Sequence, residues 1–150
     1  MSGWTVKAAH PSHVARIANR MRAHDIAECA AVGHSPKAAL RSSLRASTFA
    51  LTIMLDGRPV AMLGVTPVSA IEGLGAPWML GTDEVLKGAR QFLVFGPRII
   101  QSMQREWPKL QNYVGAENWN AIRVLRALGF DVAGETVVIG GMAHRLFTKG

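Results

Sequence analysis

The chain has 150 residues, a length typical of one domain that buries a sizeable hydrophobic core. Hydrophobic residues make up 49% of it and charged residues 18%, a composition that excludes a disordered tail, and no apolar run is long enough to span a membrane. The formal net charge of +7 favours acidic partners, whether nucleic acid, a phosphorylated cofactor or an acidic protein surface.

The chain begins with a predicted strand and an amphipathic helix. Alternation over residues 5–9 favours a short strand. Pro11 and Ser12 then supply a stop and an N-cap for a helix. Apolar residues recur at helical spacing over residues 14–21, so this helix has one buried face.

Two further helices are predicted before the next strand. The second covers residues 25–32 and ends at Gly33, and Ser35 with Pro36 starts the third as an N-cap followed by proline. Basic residues at every fourth position of the third helix form one stripe, which we assign to a solvated face. The stripe consists of Lys37, Arg41 and Arg45.

A hairpin is the clearest local signal in the middle of the chain. Residues 49–55 and 59–66 are rich in strand-forming residues, and the Asp56-Gly57 step between them favours a tight turn. After a stretch interrupted by glycine and proline, residues 77–81 predict another short strand.

A long helical segment is predicted next. Thr82 or Asp83 serves as its N-cap, Gly96 and Pro97 interrupt it, and Pro108 ends it.

The last third predicts a strand over residues 110–114, a helix over residues 119–128 and a final antiparallel pair. The pair covers residues 132–139 and 142–147, joined at Gly140-Gly141. The predicted order of elements is therefore βααα-ββ-β-α-β-α-ββ, and no linker divides the chain, so we expect a single domain over its full length.

The most informative segment lies around the last helix. Asn118 is placed to cap it, and Gly129 followed by Phe130 is typical of a helix end with a left-handed glycine and an apolar contact. The spacing of Asn118, Ala121, Leu128, Gly129 and Phe130, with one strand before and two after, resembles the C-terminal motif of the GNAT superfamily of N-acetyltransferases. The order of elements over nearly the whole chain agrees with that resemblance.

The resemblance implies an α/β fold with a mixed, mostly antiparallel sheet flanked by helices. In that family the fourth and fifth strands splay apart to admit acetyl-CoA, and backbone N–H groups at a helix N-terminus bind its pyrophosphate. Carried onto this sequence, it implies cofactor contacts from Leu80, Gly81, Thr82 and Asn118. Acetyl-CoA is the cofactor expected if the protein is an enzyme.

Two departures from the family pattern bear on activity. Many members carry a proton-donating tyrosine seven residues after the asparagine, whereas this chain has Leu125, and its only tyrosine, Tyr113, lies on the preceding strand. Residues 78–84 and the helix after them lack the family's Gln/Arg-x-x-Gly-x-Gly/Ala signature. Asp83 and Glu84 also place acidic groups where a pyrophosphate is expected.

No catalytic residue is assigned from sequence. The candidates for a general base are carboxylates and one histidine, selected by residue type alone. They are Glu72, Glu117, His34 and the Asp25/Glu28 pair.

Metal binding is not predicted, because the five histidines have no ligand spacing with Cys29 or the carboxylates. A single cysteine cannot form an internal disulfide and suits a reducing compartment. We interpret Cys29 as a small buried apolar residue.

Several strings, including residues 27–31, 78–83 and 110–114, resemble the small internal virion and morphogenesis proteins of T7-type tailed phages. This resemblance implies a virion-associated protein on a GNAT fold, located in the virion or the host cytoplasm, with other phage structural proteins or DNA as partners of its basic surface. The alternative hypothesis is an acetyl-CoA-dependent N-acetyltransferase that acts on an amine of a protein or small molecule.

Overall fold

The computed structural model describes residues 3–150, apart from the side chains of Leu86 and Ala89. The strands are β1 Trp4–Ala8, β2 Phe49–Leu55, β3 Arg58–Ser69, β4 Leu74–Gly81, β5 Lys109–Gly115, β6 Asp131–Val132, β7 Val137–Ile139 and β8 Met142–Lys149. The helices are α1 Val14–Ala18, α2 Ala23–Ala31, α3 Pro36–Ala46, α4 Glu84–Lys87, α5 Ala89–Glu106 and α6 Trp119–Ala127, with a 3-10 turn at Pro11–His13.

Within these residues the strands form one mixed sheet in the order β1-β2-β3-β4-β5-β8-β6, and β7 also pairs with β8. Every pairing is antiparallel except that of β4 with β5. That parallel pairing covers only Leu74 with Lys109 and Gly75 with Leu110. The predicted α/β class and the broad order of elements are confirmed.

Helices cover both faces of the sheet. α1, α2 and α3 bury one apolar cluster against β3 and β4, with Ile17, Leu40 and Met62 at its centre. α5 and α6 bury a second cluster on the opposite face, which includes Leu63 and Ile122. Met62 and Leu63 are neighbours on β3 that point to opposite faces, as strand alternation requires.

Several predicted turns and helix ends are confirmed. Asp56 and Gly57 both have positive φ, of 50° and 80°, and join β2 to β3 as a two-residue turn. Ser35 caps α3 by accepting a hydrogen bond from the Ala38 N–H. At the end of α6, the Phe130 N–H donates to Leu125 O while Gly129 has a φ of 92°, which is the predicted glycine end.

The predicted interruption at Gly96 and Pro97 is wrong. α5 continues through both residues, and the break comes earlier, at Gly88. Pro97 is exposed, so water can satisfy the carbonyl group that loses its helical partner. At Gly88 a Cβ atom would lie 2.1 Å from the Trp4 ring, so this contact requires glycine.

Three other local predictions are also wrong. Residues 132–139 form two short strands, β6 and β7, because the segment between them leaves the sheet. His10, rather than Ser12, caps the first turn, since its side chain accepts from the Ser12 N–H. Asn118 does precede α6, but its side chain makes no capping hydrogen bond and points instead to other buried groups.

The basic stripe on α3 is exposed along its whole length, as predicted. No helix among residues 3–150 is long and apolar enough to cross a membrane.

Candidate functional site

A cavity of about 400 Å³ occupies the gap where β4 and β5 diverge. The two strands pair only at their first residues, and beyond that point the Asn112 side chain spans the gap, with its Nδ2 donating to Pro77 O at 2.8 Å. The lining includes Trp78 from the α1–α3 face and Met79 from the α5–α6 face. The cavity therefore passes through the sheet and joins its two faces.

The edge of β4 that faces the gap offers one backbone position to a ligand. Thr82 N–H donates to Val60 O of β3, and since alternate residues of a strand point their polar groups to opposite sides, Gly81, Met79 and Pro77 face the gap. Both backbone groups of Gly81 already have hydrogen-bond partners, because its N–H donates to Asp25 and its carbonyl accepts from the Arg22 N–H.

Pro77 has no N–H, and its carbonyl is bound by Asn112. Met79 lies between these two residues. No hydrogen bond joins the Met79 N–H or carbonyl to the described part of the chain. The Met79 amide is therefore a directed donor inside the cavity.

A buried polar network from α2 crosses the open end of the gap. Asp25 accepts from Arg22 Nη1 at 3.0 Å and from the Gly81 N–H at 2.9 Å, which ties α2 to β4. Glu28, one turn further along α2, accepts from the Gly115 N–H at 3.1 Å and from Asn118 Nδ2 at 2.9 Å, which ties α2 to the end of β5.

Arg22 Nη2 completes the circuit by donating to Asn118 Oδ1 at 3.2 Å. Arg22, Asp25 and Asn118 are each at most 5% exposed. Among the described residues, no fully buried side-chain nitrogen or oxygen lacks a hydrogen-bond partner. The network braces the two diverging strands at a defined separation.

Burial determines the electrostatics of this network. It raises the pKa of Asp25 from 3.8 to about 6, because the loss of hydration outweighs the neighbouring Arg22 charge and the Gly81 N–H, which lower it. With Asp25 and Glu28 ionised, Arg22 balances one of the two negative charges. A cation that enters from the α2 side would balance the other.

The acidic residues at the end of β4 have different surroundings. Glu84 forms ion pairs with Arg20 and Arg58, and the hydrogen bond from Arg58 holds the pKa of Glu84 below its usual value. Asp83 is exposed. The Glu84 charge is therefore offset by two guanidinium groups.

The four residues predicted to bind a cofactor lie near one another at the wide end of the gap. Gly81 and Asn118 belong to the network, while Thr82 N–H and Oγ1 both donate to Val60 O. Leu80 packs on the α1–α3 face. Cofactor binding by these residues stays a prediction.

The candidate bases separate into two groups. Asp25, Glu28 and His34 line the cavity, whereas Glu72 and Glu117 are exposed and lie outside its lining. Leu125 and Tyr113 also line the cavity. Cys29 is buried as predicted, and burial raises the pKa of its thiol to about 11, which keeps it protonated. The described residues contain no cluster of three or more metal-ligating side chains.

Sequence reasoning missed Met79, Asn112 and Arg22. Met79 acts through its backbone, and a strand edge that stays unpaired is a property of the sheet. A lone arginine between two helices reads as a surface residue. The strand before the motif carried the one available signal, the polar pair Gln111-Asn112 in the middle of a predicted strand.

No protein-family model matches this sequence, and a search of curated proteins finds no match to it. Solved structures do match. A ribosomal-protein-alanine N-acetyltransferase from Brucella melitensis aligns with 14% identity and a TM-score of 0.67 over 97% of this chain and 98% of that chain. A GNAT phosphinothricin acetyltransferase from Sinorhizobium meliloti, solved with AcCoA, aligns with 11% identity and a TM-score of 0.70 over 98% and 88%.

The structure of AAC(6′)-Ib with ribostamycin and coenzyme A is similar over 98% of this chain and 93% of that one, with 15% identity and a TM-score of 0.68. At such identities the likeness establishes the fold, which is that of the GNAT acetyltransferases. None of the structures named here is a virion protein, and the resemblance to phage proteins has no support from them.

Proposed function

We propose that this protein transfers an acetyl group from acetyl-CoA to an amine. The observation that carries the proposal is the Met79 amide, the one gap-facing N–H on the wide part of β4 that has no partner within the described chain. A thioester carbonyl placed in the gap accepts a hydrogen bond from this N–H. Coenzyme A complexes among the structures of the same fold support acetyl-CoA as the donor to test first.

The residues around the gap fit such a ligand. The apolar lining suits a pantetheine arm, and the start of α5 suits its phosphates, since no side chain caps this 18-residue helix. Exposed Lys87 and Arg90 flank that helix start and add positive charge. Glu84 is held in its ion pairs with Arg20 and Arg58.

Each part of the chain then has a defined task. When bound, acetyl-CoA supplies an activated acyl group. The Met79 N–H stabilises negative charge on the acyl oxygen, a contribution that is typically worth about 10²–10³ in rate for one such donor. The Arg22–Asp25–Glu28 network attracts a cationic amine to the α2 side through its excess negative charge.

Proton transfer follows from what borders the cavity. Asp25 and Glu28 each have both carboxylate oxygens hydrogen-bonded, but Asp25 is only 5% exposed, so we assign Asp25 to holding the strands rather than to accepting a proton from substrate. Glu28 is half-buried and lines the cavity, so we propose it as the group that receives the amine proton. Leu125 donates no proton, and departure of the thiolate relies on solvent.

Calorimetry tests the proposal with wild type and two variants at one position. Met79→Pro removes the N–H that faces the gap without breaking the β3 ladder, and Pro77 already occupies the same edge of β4. Met79→Leu keeps the amide and serves as the matched control. We expect acetyl-CoA to bind wild type and Met79→Leu alike, and Met79→Pro more weakly. Absence of acetyl-CoA binding to wild type at millimolar concentration contradicts the proposal.

The virion hypothesis is not favoured by any contact or cavity in residues 3–150. Contacts with phage structural proteins or with DNA stay predictions from the sequence.

A further inference from the structure

We propose that the acyl group this protein prefers is a straight apolar chain longer than acetyl, seated in the inner end of the cavity on the α5–α6 side of the sheet, at the level of Pro77 and Asn112. The inference rests on the proposed function, because it assumes that the thioester lies at Met79. It names the class of acyl donor, which that function leaves open.

The inner end of the cavity lies beyond Met79, on the α5–α6 side of the sheet. α4 lies beside the end of β4, where Val85 is next to Gly81, and α5 runs from there back to the beginning of the strands, where Trp107 packs on Gly75. The cavity follows α5 from Phe92 to Met103. At 1.5 Å per residue this is a depth of about 16 Å.

The thioester position falls part of the way along that depth. On β4 the lining ends at Pro77, two residues from Met79 towards the paired end of the strands, and two strand residues extend about 7 Å. An acetyl group held at Met79 ends in one methyl and leaves the deeper part of the cavity unfilled. A longer chain continues towards the meeting point of the two strands.

The walls of the inner end determine what it accepts. They come from β3, α5, β5, the segment after α6 and β8, and every wall residue except Asn112 is apolar and buried. Phe130 and Phe147 meet edge to face at 5.3 Å and close the far side. The other wall residues are Ile100, Met103 and Asn112, together with Leu63 and Val114 at the level of Met79.

This chemistry favours one occupant. Asn112 is the hydrogen-bonding side chain of the inner wall, but its Nδ2 already donates to Pro77 O and its Oδ1 accepts from the Tyr113 N–H, so the wall favours an apolar group over a phosphate, a sugar or an amine. Burying one methylene contributes about 0.8 kcal/mol, which strengthens binding about four-fold. The portion of an acyl-CoA that gains from this environment is its hydrocarbon chain.

Calorimetric titration of wild type with coenzyme A and with acetyl-, butyryl-, hexanoyl- and octanoyl-CoA tests the inference without knowledge of the acceptor. We expect the dissociation constant to fall at each step, with hexanoyl-CoA binding on the order of a hundredfold more tightly than acetyl-CoA if its four extra methylenes are fully buried. Equal binding of acetyl- and hexanoyl-CoA overturns the inference and leaves the proposed function intact. Failure of every acyl-CoA to bind overturns both.

A pair of variants locates the chain. Met103→Phe adds bulk at the inner end, whereas Leu93→Phe adds bulk on the exposed side of the same helix. We expect Met103→Phe to weaken hexanoyl-CoA binding at least tenfold while acetyl-CoA binding changes little, and Leu93→Phe to change neither. If hexanoyl-CoA binds both variants equally, its chain lies elsewhere and the inference fails. The wild-type series decides the question even if Met103→Phe does not fold.

Discussion

Replacing Asp25 with alanine tests the claim that the α2 network braces the splayed strands. The substitution removes the acceptor for the Gly81 N–H and leaves the Arg22 guanidinium, which is 4% exposed, without its counter-ion. Breaking a buried pair in this way costs about 3–5 kcal/mol. That is a large part of the stability of a typical domain, which is about 5–15 kcal/mol.

Urea unfolding followed by tryptophan fluorescence measures this loss as a change in the free energy of unfolding. Asp83→Ala is the matched control, because Asp83 is an exposed carboxylate near the same strand end, and we expect it to change stability by less than about 0.5 kcal/mol. Arg22→Met combined with Asp25→Ala should cost less than Asp25→Ala alone, since no unpaired charge remains. A loss below about 1 kcal/mol for Asp25→Ala would refute the bracing role.

Three further predictions concern neighbouring parts of the structure. Folding raises the pKa of Asp25 from 3.8 to about 6, so the folded state binds the carboxyl proton more tightly than the unfolded state does. The free energy of unfolding of wild type relative to Asp25→Asn should therefore fall by about 3 kcal/mol as pH rises through that interval. Urea titrations that show a constant or rising difference would disprove the assignment. In the β7–β8 turn a Cβ at Gly140 would lie 1.8 Å from Ala31 O, whereas a Cβ at Gly141 would meet open space. Gly141→Ala should therefore cost about 1 kcal/mol of stability, and Gly140→Ala at least twice as much, as measured by thermal melts. Equal losses would contradict this. Asn112→Ala removes the hydrogen bond across the gap and should lower the free energy of unfolding in urea by about 1 kcal/mol. An unchanged urea midpoint would rule out this expectation.

Local signals in the sequence predict most of the secondary structure. The Asp56-Gly57 turn, the Ser35 cap and the Gly129 helix end depend on the conformations of single residues, so composition and spacing reveal them. The path of α5 was harder to predict. Proline disfavours a helix interior in general, but at Pro97 the exposed side of the helix removes most of that penalty, and the contact that breaks the helix joins Gly88 to a tryptophan far away in sequence.

The candidate site is less predictable than the fold because it depends on groups brought together from distant segments. The sequence offers Asp25 and Glu28 as two carboxylates on one helix, but their partners at Gly81 and Gly115 are backbone groups on two different strands. Asn118 is a cap by position. Its side chain instead forms hydrogen bonds with Arg22 and Glu28, because leaving these partly or fully buried groups without partners would cost more free energy than leaving the helix end uncapped.

The most direct test of the central claim is the nuclear magnetic resonance signal of the Met79 amide. The chain has seven methionines, so selective nitrogen-15 labelling gives a simple spectrum in which the signal lost in Met79→Leu identifies Met79. On titration with acetyl-CoA, we predict that the Met79 amide proton shifts downfield and moves more than the signal of any other methionine. A Met79 signal that stays in place while other signals shift would show that the ligand binds elsewhere and would contradict the account.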